Sequence, residues 1–107
     1  MISKELLSEI LDREVINVVG ITQIDSRGVV SSKAVKFETR KDIYRSINIY
    51  ELAHKCKEWA YNEHGEILTS FKYKGEWIVE DERYRYRADT EPEAIFKACE
   101  WILKEMK

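Results

Sequence analysis

Apolar residues recur along the chain first at helical spacing, then in alternation, and each change of period marks an element. Ile2, Leu6, Leu7, Ile10 and Leu11 share one helical face, Glu5 and Glu9 the other, and Ser3 stands where an N-cap belongs. This spacing predicts a short amphipathic helix over residues 4–12. Residues 14–24 are β-branched and dense (Val15, Ile16, Val18, Val19, Ile21, Thr22, Ile24), with apolar groups on both alternating faces, so this strand needs cover on both sides. Asp25-Ser26-Arg27-Gly28 supplies turn chemistry for a hairpin. The return strand, residues 29–39, places Val29, Val35 and Phe37 on one face and Val30 and Ala34 on the other.

Residues 40–46 read as a charged connector. Asn48 then caps a helix, with Glu51 at the capping-box position and Ile47 and Leu52 placed as a hydrophobic staple. The helix runs to about residue 63 with a buried stripe of Leu52, Ala53, Cys56, Trp59 and Ala60. Gly65 stands where a left-handed C-terminal cap is wanted.

Residues 66–73 alternate, Lys74-Gly75 forms a two-residue turn into residues 76–80, and residues 83–88 follow with a strict period of two. A second two-residue turn at Asp81-Glu82 sets Glu80 opposite Arg83 and Glu76 opposite Arg87. Trp77 and Val79 then face Tyr86 and Tyr84, sorting charges and aromatics onto opposite faces. Thr90, Pro92 and Glu93 open the last helix, with Glu91 suited to its positive end and Lys104 and Lys107 to its negative end. Its expected apolar face is Ala94, Ile95, Ala98, Cys99, Trp101, Ile102 and Met106.

The element order is α-β-β-α-β-β-β-α, an α+β domain in which an antiparallel sheet of about five strands carries packed helices. The two-sided apolar hairpin points to an α/β/α sandwich, or to a dimer that supplies the missing cover. A shift of 42 residues aligns Asn48 and Glu51 with Thr90 and Glu93, and Lys55, Glu58 and Trp59 with Lys97, Glu100 and Trp101. Two duplicated strand-strand-helix units would produce this similarity, and so would the convergence of two capped amphipathic helices on one sheet, which four identities in thirteen positions favour.

Composition narrows the class. The 107 residues suit one globular domain spanning positions 1–107, and 44% hydrophobic residues exclude a disordered chain. Eighteen basic against twenty acidic residues give a net charge of -2, with no global pull toward polyanions, although a local patch remains open. No run approaches the ~20 apolar residues of a membrane helix, and the first residues lack a signal-peptide core. A soluble cytoplasmic protein with no membrane association is expected. Cys56 and Cys99 read as buried thiols, too few for a disulfide framework or a zinc site.

No catalytic constellation emerges. His54 and Glu58, four apart, make an exposed helix-face pair, and His64 beside Gly65 complements a helix end. Burial on helix stripes deactivates both cysteines as nucleophiles. Four scattered glycines cannot build a phosphate loop, and no carboxylate pair stands in an apolar setting. The expectation is a protein that is not an enzyme and uses no cofactor. Arg83, Arg85 and Arg87, with Tyr73 or Phe71 beside them for stacking, form the most suggestive surface for a nucleic-acid contact, but seven acidic against three basic residues between Glu76 and Glu93 favour a solvated, charge-paired face.

The run Asp89-Thr90-Glu91-Pro92-Glu93-Ala94-Ile95-Phe96-Lys97-Ala98-Cys99-Glu100-Trp101-Ile102-Leu103 resembles small proteins encoded by phages and prophages, where a strand feeds an acidic, proline-containing cap and an Ala-Ile-x-x-Ala-x-x-Trp helix. The resemblance implies an α/β/α architecture and a phage context, and carries no site residue. The expected function is a non-enzymatic accessory module that binds a macromolecule, a protein first and a nucleic acid second, with a structural, self-assembling role as the alternative. Its candidate contacts are Tyr44, Tyr50, Tyr61, Phe96, Arg83, Arg85 and Arg87, although Tyr50, Tyr61 and Phe96 are expected to finish packing at helix edges.

Overall fold

A computed structural model describes residues 2–26, 30–41 and 44–105, with side chains omitted at 23–26 and 30–32. The Arg27-Gly28 turn, Val29, Met106 and Lys107 lie outside the described residues. The elements are α1 (Lys4–Leu11), β1 (Val15–Ser26), β2 (Val30–Thr39), β3 (Arg45–Asn48), α2 (Ile49–His64), β4 (Thr69–Tyr73), β5 (Glu76–Glu80), β6 (Arg85–Ala88) and α3 (Glu91–Glu105).

The helix ends follow their capping chemistry. Ser3 Oγ accepts the Leu6 N–H at 3.2 Å, and Asp12 ends α1 in the left-handed region at φ 52°. Asn48 Oδ1 accepts from Tyr50 and Glu51 at 2.9 and 3.3 Å, and Gly65 closes α2 at φ 65°, where a Cβ is disfavoured. Thr90 Oγ1 accepts the Glu93 N–H at 3.4 Å. Glu91 does more than face the dipole, since its Oε2 accepts the Ser70 hydroxyl at 2.8 Å and ties α3 to β4.

The strands correct the expected single sheet of about five. There are six, in two antiparallel meanders ordered β1-β2-β3 and β4-β5-β6. The added strand is β3, part of the expected connector. Its Arg-Ser-Ile-Asn sequence has no apolar alternation, yet Asn48, Ile47, Ser46 and Arg45 pair with Ala34, Val35, Lys36 and Phe37. Strand β4 starts at Thr69 and β6 at Arg85, later than expected for both.

The α/β/α sandwich is also corrected. The three helices contact one another, with α1 and α2 on the first sheet and α3 on the second, and no strand of one sheet touches the other among the described residues. Helices on opposite faces of a sheet could not meet this way. A thickness of 18 Å beside extents of 38 and 35 Å holds one helical layer on one layer of sheets, at about 10 Å per layer. The core lies between these layers, with Leu6, Leu7, Val35, Leu52, Cys56, Val79, Ile95 and Cys99 almost fully enclosed.

Two bulges explain the apolar density of β1. The register skips one residue between Val15 and Asn17 and another between Val18 and Gly20. Val15, Val18 and Ile21 therefore pair with Thr39, Phe37 and Val35, three residues of one β2 face, at a spacing of three instead of two. The extra residues are Ile16 and Val19, exposed at 43% and 48%; Ile21, although paired with the buried Val35, is exposed at 41% as well. Gly20 follows the second bulge at φ 152°, a conformation L side chains rarely adopt.

Each meander feeds a helix, so the 42-residue echo extends to element order. It stops at the tryptophans, because Trp59 is buried while Trp101 is 40% exposed and stands edge-on to Tyr84 at 5.5 Å. Phe96 is 2% exposed, packed as expected of it and so removed from the candidate contacts. No helix among the described residues is long and apolar enough to cross a membrane.

Candidate functional site

The arginine strand forms a charge-paired face, in a register two positions from the expected one. Asp81 Oδ1 accepts the N–H groups of Arg83 and Tyr84 at 2.8 and 2.7 Å, and the Asp81 N–H reaches the Tyr84 carbonyl at 3.1 Å. These bonds hold residues 81–84 as a four-residue connection, so Glu80 pairs with Arg85 and Val79 with Tyr86, two positions from the expected register. A shift of two preserves each residue's face. Arg85 and Arg87 keep the face of Glu76 and Glu80, which Phe71 and Ile78 also share, so charges and apolar groups are not cleanly sorted.

Every arginine of the set meets a carboxylate. Arg85 Nε lies 2.8 Å from Glu80 Oε2, and Arg87 Nη1 lies 3.8 Å from Glu76 Oε2. Arg83 leaves the strand and stands 3.7 and 3.8 Å from Glu66 and Glu105, the latter on α3. Tyr44 is 60% exposed, with Lys36 Nζ 4.4 Å from its ring centroid. Tyr50 and Tyr61 are exposed as well, contrary to the packing expected of them, and lie about 16 Å apart along the α2 axis.

Titratable groups in the interior are quiet. The neighbouring Cys99 thiol and burial push the Cys56 thiol far above its ordinary value, and Cys99 Sγ donates to the Cys56 carbonyl at 3.5 Å. Burial, then the Asp81 and Glu105 carboxylates, raises the Tyr86 phenol. Its hydroxyl is buried with no hydrogen-bond partner among the described residues, and the Tyr86 side chain lines a cleft of about 300 Å³ with Phe96, Lys97 and Trp101. His54 Nε2 lies 3.0 Å from Glu58 Oε1 on the open face of α2, and the partly buried His64 packs edge-on to Trp59 at 4.7 Å. No group of three or more His, Cys, Asp and Glu converges among the described residues.

Cationic side chains gather elsewhere, at the end of the first sheet where α1 enters β1 and β2 leaves for β3. The left-handed Asp12 turns Arg13 and Glu14 toward the Val15↔Thr39 pair, beside which Arg40 and Lys41 emerge. The Phe37↔Arg45 pair brings in Arg45. Two clefts open there. One, of about 480 Å³, is lined by Arg13, Arg40, Lys41 and Arg45 with Asp12 and Glu14. The other, of about 400 Å³, shares Arg13 and Arg45 and adds Lys55, Glu51, Ser46 and Asn48, with Ile10, Leu11, Phe37 and Ile47 also on its lining. Arg40 stands 3.2 Å from Glu14, both widely exposed. Arg13, Lys41 and Lys55 make no ion pair among the described residues.

This cluster escaped motif reading because its members lie far apart in the chain, but charge distribution carries its signal. Between Arg27 and Lys57 there are eight basic and three acidic residues, whereas from Glu58 to Glu105 seven face twelve. Over the whole chain, residues 1–57 carry ten basic and eight acidic side chains and residues 58–107 eight and twelve, so the net charge of -2 is +2 against -4. No protein-family model, curated protein or solved structure matches the chain.

Proposed function

We propose that this protein is a non-enzymatic macromolecule-binding module of phage or prophage type, and that it engages an acidic partner through the cationic end of its first sheet. One observation carries the reading. Arg13, Lys41 and Lys55 line two clefts that share Arg13 and Arg45, and these three make no ion pair among the described residues, while Arg83, Arg85 and Arg87 are each matched by carboxylates. Cations around a concave surface focus their field on an incoming anion, whereas paired surface charges present little net potential. The likeness of the last helix to small phage proteins suits an accessory role of this kind.

Heparin chromatography tests this reading. The protein should bind at low salt and elute earlier as Arg13→Gln/Lys41→Gln, with Arg85→Gln/Arg87→Gln unchanged. Passage of the unaltered protein straight through the column defeats it.

Self-association is a second reading, favoured by the exposed Ile16 and Val19 on the open edge strand β1. Bulges interrupt the edge ladder, so a second copy would be held by these side chains and not by strand addition. Sedimentation should then show a dimer that Val19→Asp dissociates. A strict monomer at every concentration removes this reading.

A further inference from the structure

We infer that the outer edge of β4 pairs antiparallel with β4 of a second copy, joining two three-stranded sheets into one of six strands across a two-fold axis at Phe71. This contact is separate from the β1 surface considered above and uses none of its residues. Three features select the pairing: the state of the four sheet edges, the phase of the β4 backbone and the side chains that meet.

The meanders end in edge strands β1, β3, β4 and β6, and an open edge templates another strand unless something blunts it. Three of these edges are blunted. β1 carries two bulges. β3 has four residues and runs straight into the α2 cap at Asn48. On β6 the Lys97 ammonium crosses from α3 and donates to the Arg87 carbonyl at 2.7 Å. β4 has no such device. Its five residues, Thr-Ser-Phe-Lys-Tyr, pair with β5 without a bulge, hold no proline, and touch only β5 and α3 among the described elements.

The backbone fixes which groups point outward. Lys74 and Gly75, at φ 51° and 82°, form a two-residue turn of the primed kind, so the closing Tyr73↔Glu76 pair exchanges hydrogen bonds, and alternation carries this to Phe71↔Ile78 and Thr69↔Glu80. Ser70 and Lys72 therefore turn their N–H and C=O groups away from β5. A second β4 must set outward residues against outward residues. With the axis at Phe71, Ser70 meets Lys72 of the second copy and Lys72 meets its Ser70, so every outward group of the strand is paired.

The side chains select the same register. Ser70 and Lys72 lie on the core side of the sheet, opposite Val79 and Trp77, and the Ser70 hydroxyl donates to Glu91 Oε2 at 2.8 Å. Lys72 is exposed and makes no ion pair among the described residues. Across the axis each Lys72 ammonium arrives beside Glu91 of the other copy, an opposite-charge contact that the symmetry makes twice. On the other face the half-buried Phe71 meets its own copy, and the exposed Tyr73 lies over Thr69. An axis at Lys72 would set the two ammonium groups against each other, and one at Ser70 would carry Lys72 past Glu91 to Leu68. The match is that of the strand with itself, which makes a second copy the occupant.

Sedimentation velocity across a concentration series, paired with cysteine cross-linking, tests the inference. The protein should dimerise reversibly, and Lys72→Glu, which turns each attraction into a repulsion, should weaken the dimer about tenfold. Cysteine at the axis reads the register. In a pair of this phase the two Phe71 Cα atoms lie about 4.5 Å apart, within the span of a disulfide, whereas the two Thr69 Cα atoms lie about 14 Å apart. Phe71→Cys should therefore form a covalent dimer under glutathione disulfide, and Thr69→Cys should not; the native Cys56 and Cys99 are buried and stay out of this exchange. Lys72 is exposed, and an unchanged circular dichroism melt confirms that its variant folds. A strict monomer overturns the inference, as does a dimer indifferent to Lys72→Glu, or cross-linking of Thr69→Cys as ready as that of Phe71→Cys. A dimer that Val19→Asp dissociates and Lys72→Glu leaves intact belongs to the β1 surface, and overturns the β4 pairing alone.

Discussion

Asp81 decides where three arginines point. Its carboxylate holds two backbone N–H groups of the connection that displaces Arg83 from the strand and sets Arg85 against Glu80. Asp81→Ala should cost about 1 kcal/mol in urea denaturation, the range for a lost side-chain cap on backbone donors. Asp81→Asn, which retains an acceptor, should recover most of it. Cys56 makes a second residue-scale prediction. Below its ordinary pKa of 9.0 the thiol is neutral folded and unfolded. Above that pH the unfolded chain loses the proton while the folded chain keeps it, so stability falls as pH rises. The slope approaches about 1.4 kcal/mol per pH unit. Thermal melts between pH 8 and 11 should show this decline, flattened in Cys56→Ala. A parallel decline in that variant would place the sensitivity elsewhere.

At the scale of elements, what was legible in the chain was what is decided locally. Ser3, Asn48, Gly65 and Thr90 act within a turn of their own positions, and the Lys74-Gly75 hairpin joins its strands in the expected register. What escaped depends on distant partners. Strand β3 has too little apolar pattern to announce itself and exists because β2 offers it a ladder. Trp101 stands exposed where the apolar face was expected to bury it, while Phe96 packs fully, because both are large and apolar and the packing of α3 on its sheet decides between them. The β1 bulges turned a period of three into an apparent two-sided strand, which led to the expectation of a sandwich. Deleting Val19 would join Val18 and Gly20 as consecutive partners of Phe37 and Lys36, leaving every other pair intact. That deletion should cost no more than about 1 kcal/mol. Deleting Lys36, which would put Val35 and Phe37 on opposite faces, should cost about 2–5 kcal/mol or prevent folding. Equal costs in urea titrations would refute the bulge assignment.

The whole molecule is a thin plate with helices on one side and open sheet faces on the other, basic toward the first sheet and acidic through the second half of the chain. This polarity reconciles near-zero net charge with a cationic contact surface. It was present in the charge order but not in any motif, because the clefts draw on the end of α1, the β2–β3 connection and the first half of α2. Such a surface should act at long range only in dilute salt, with the Debye length near 10 Å at 0.1 M. The central claim is one of location, that binding occurs at the end of the first sheet and not on the arginine strand. A nitrogen–proton correlation titration with a short heparin fragment at low salt tests it most directly. Amide shifts should concentrate at Arg13, Glu14, Arg40, Lys41 and Lys55, with Arg85 and Arg87 still; shifts centred on Arg85 and Arg87, or none at all, would contradict it.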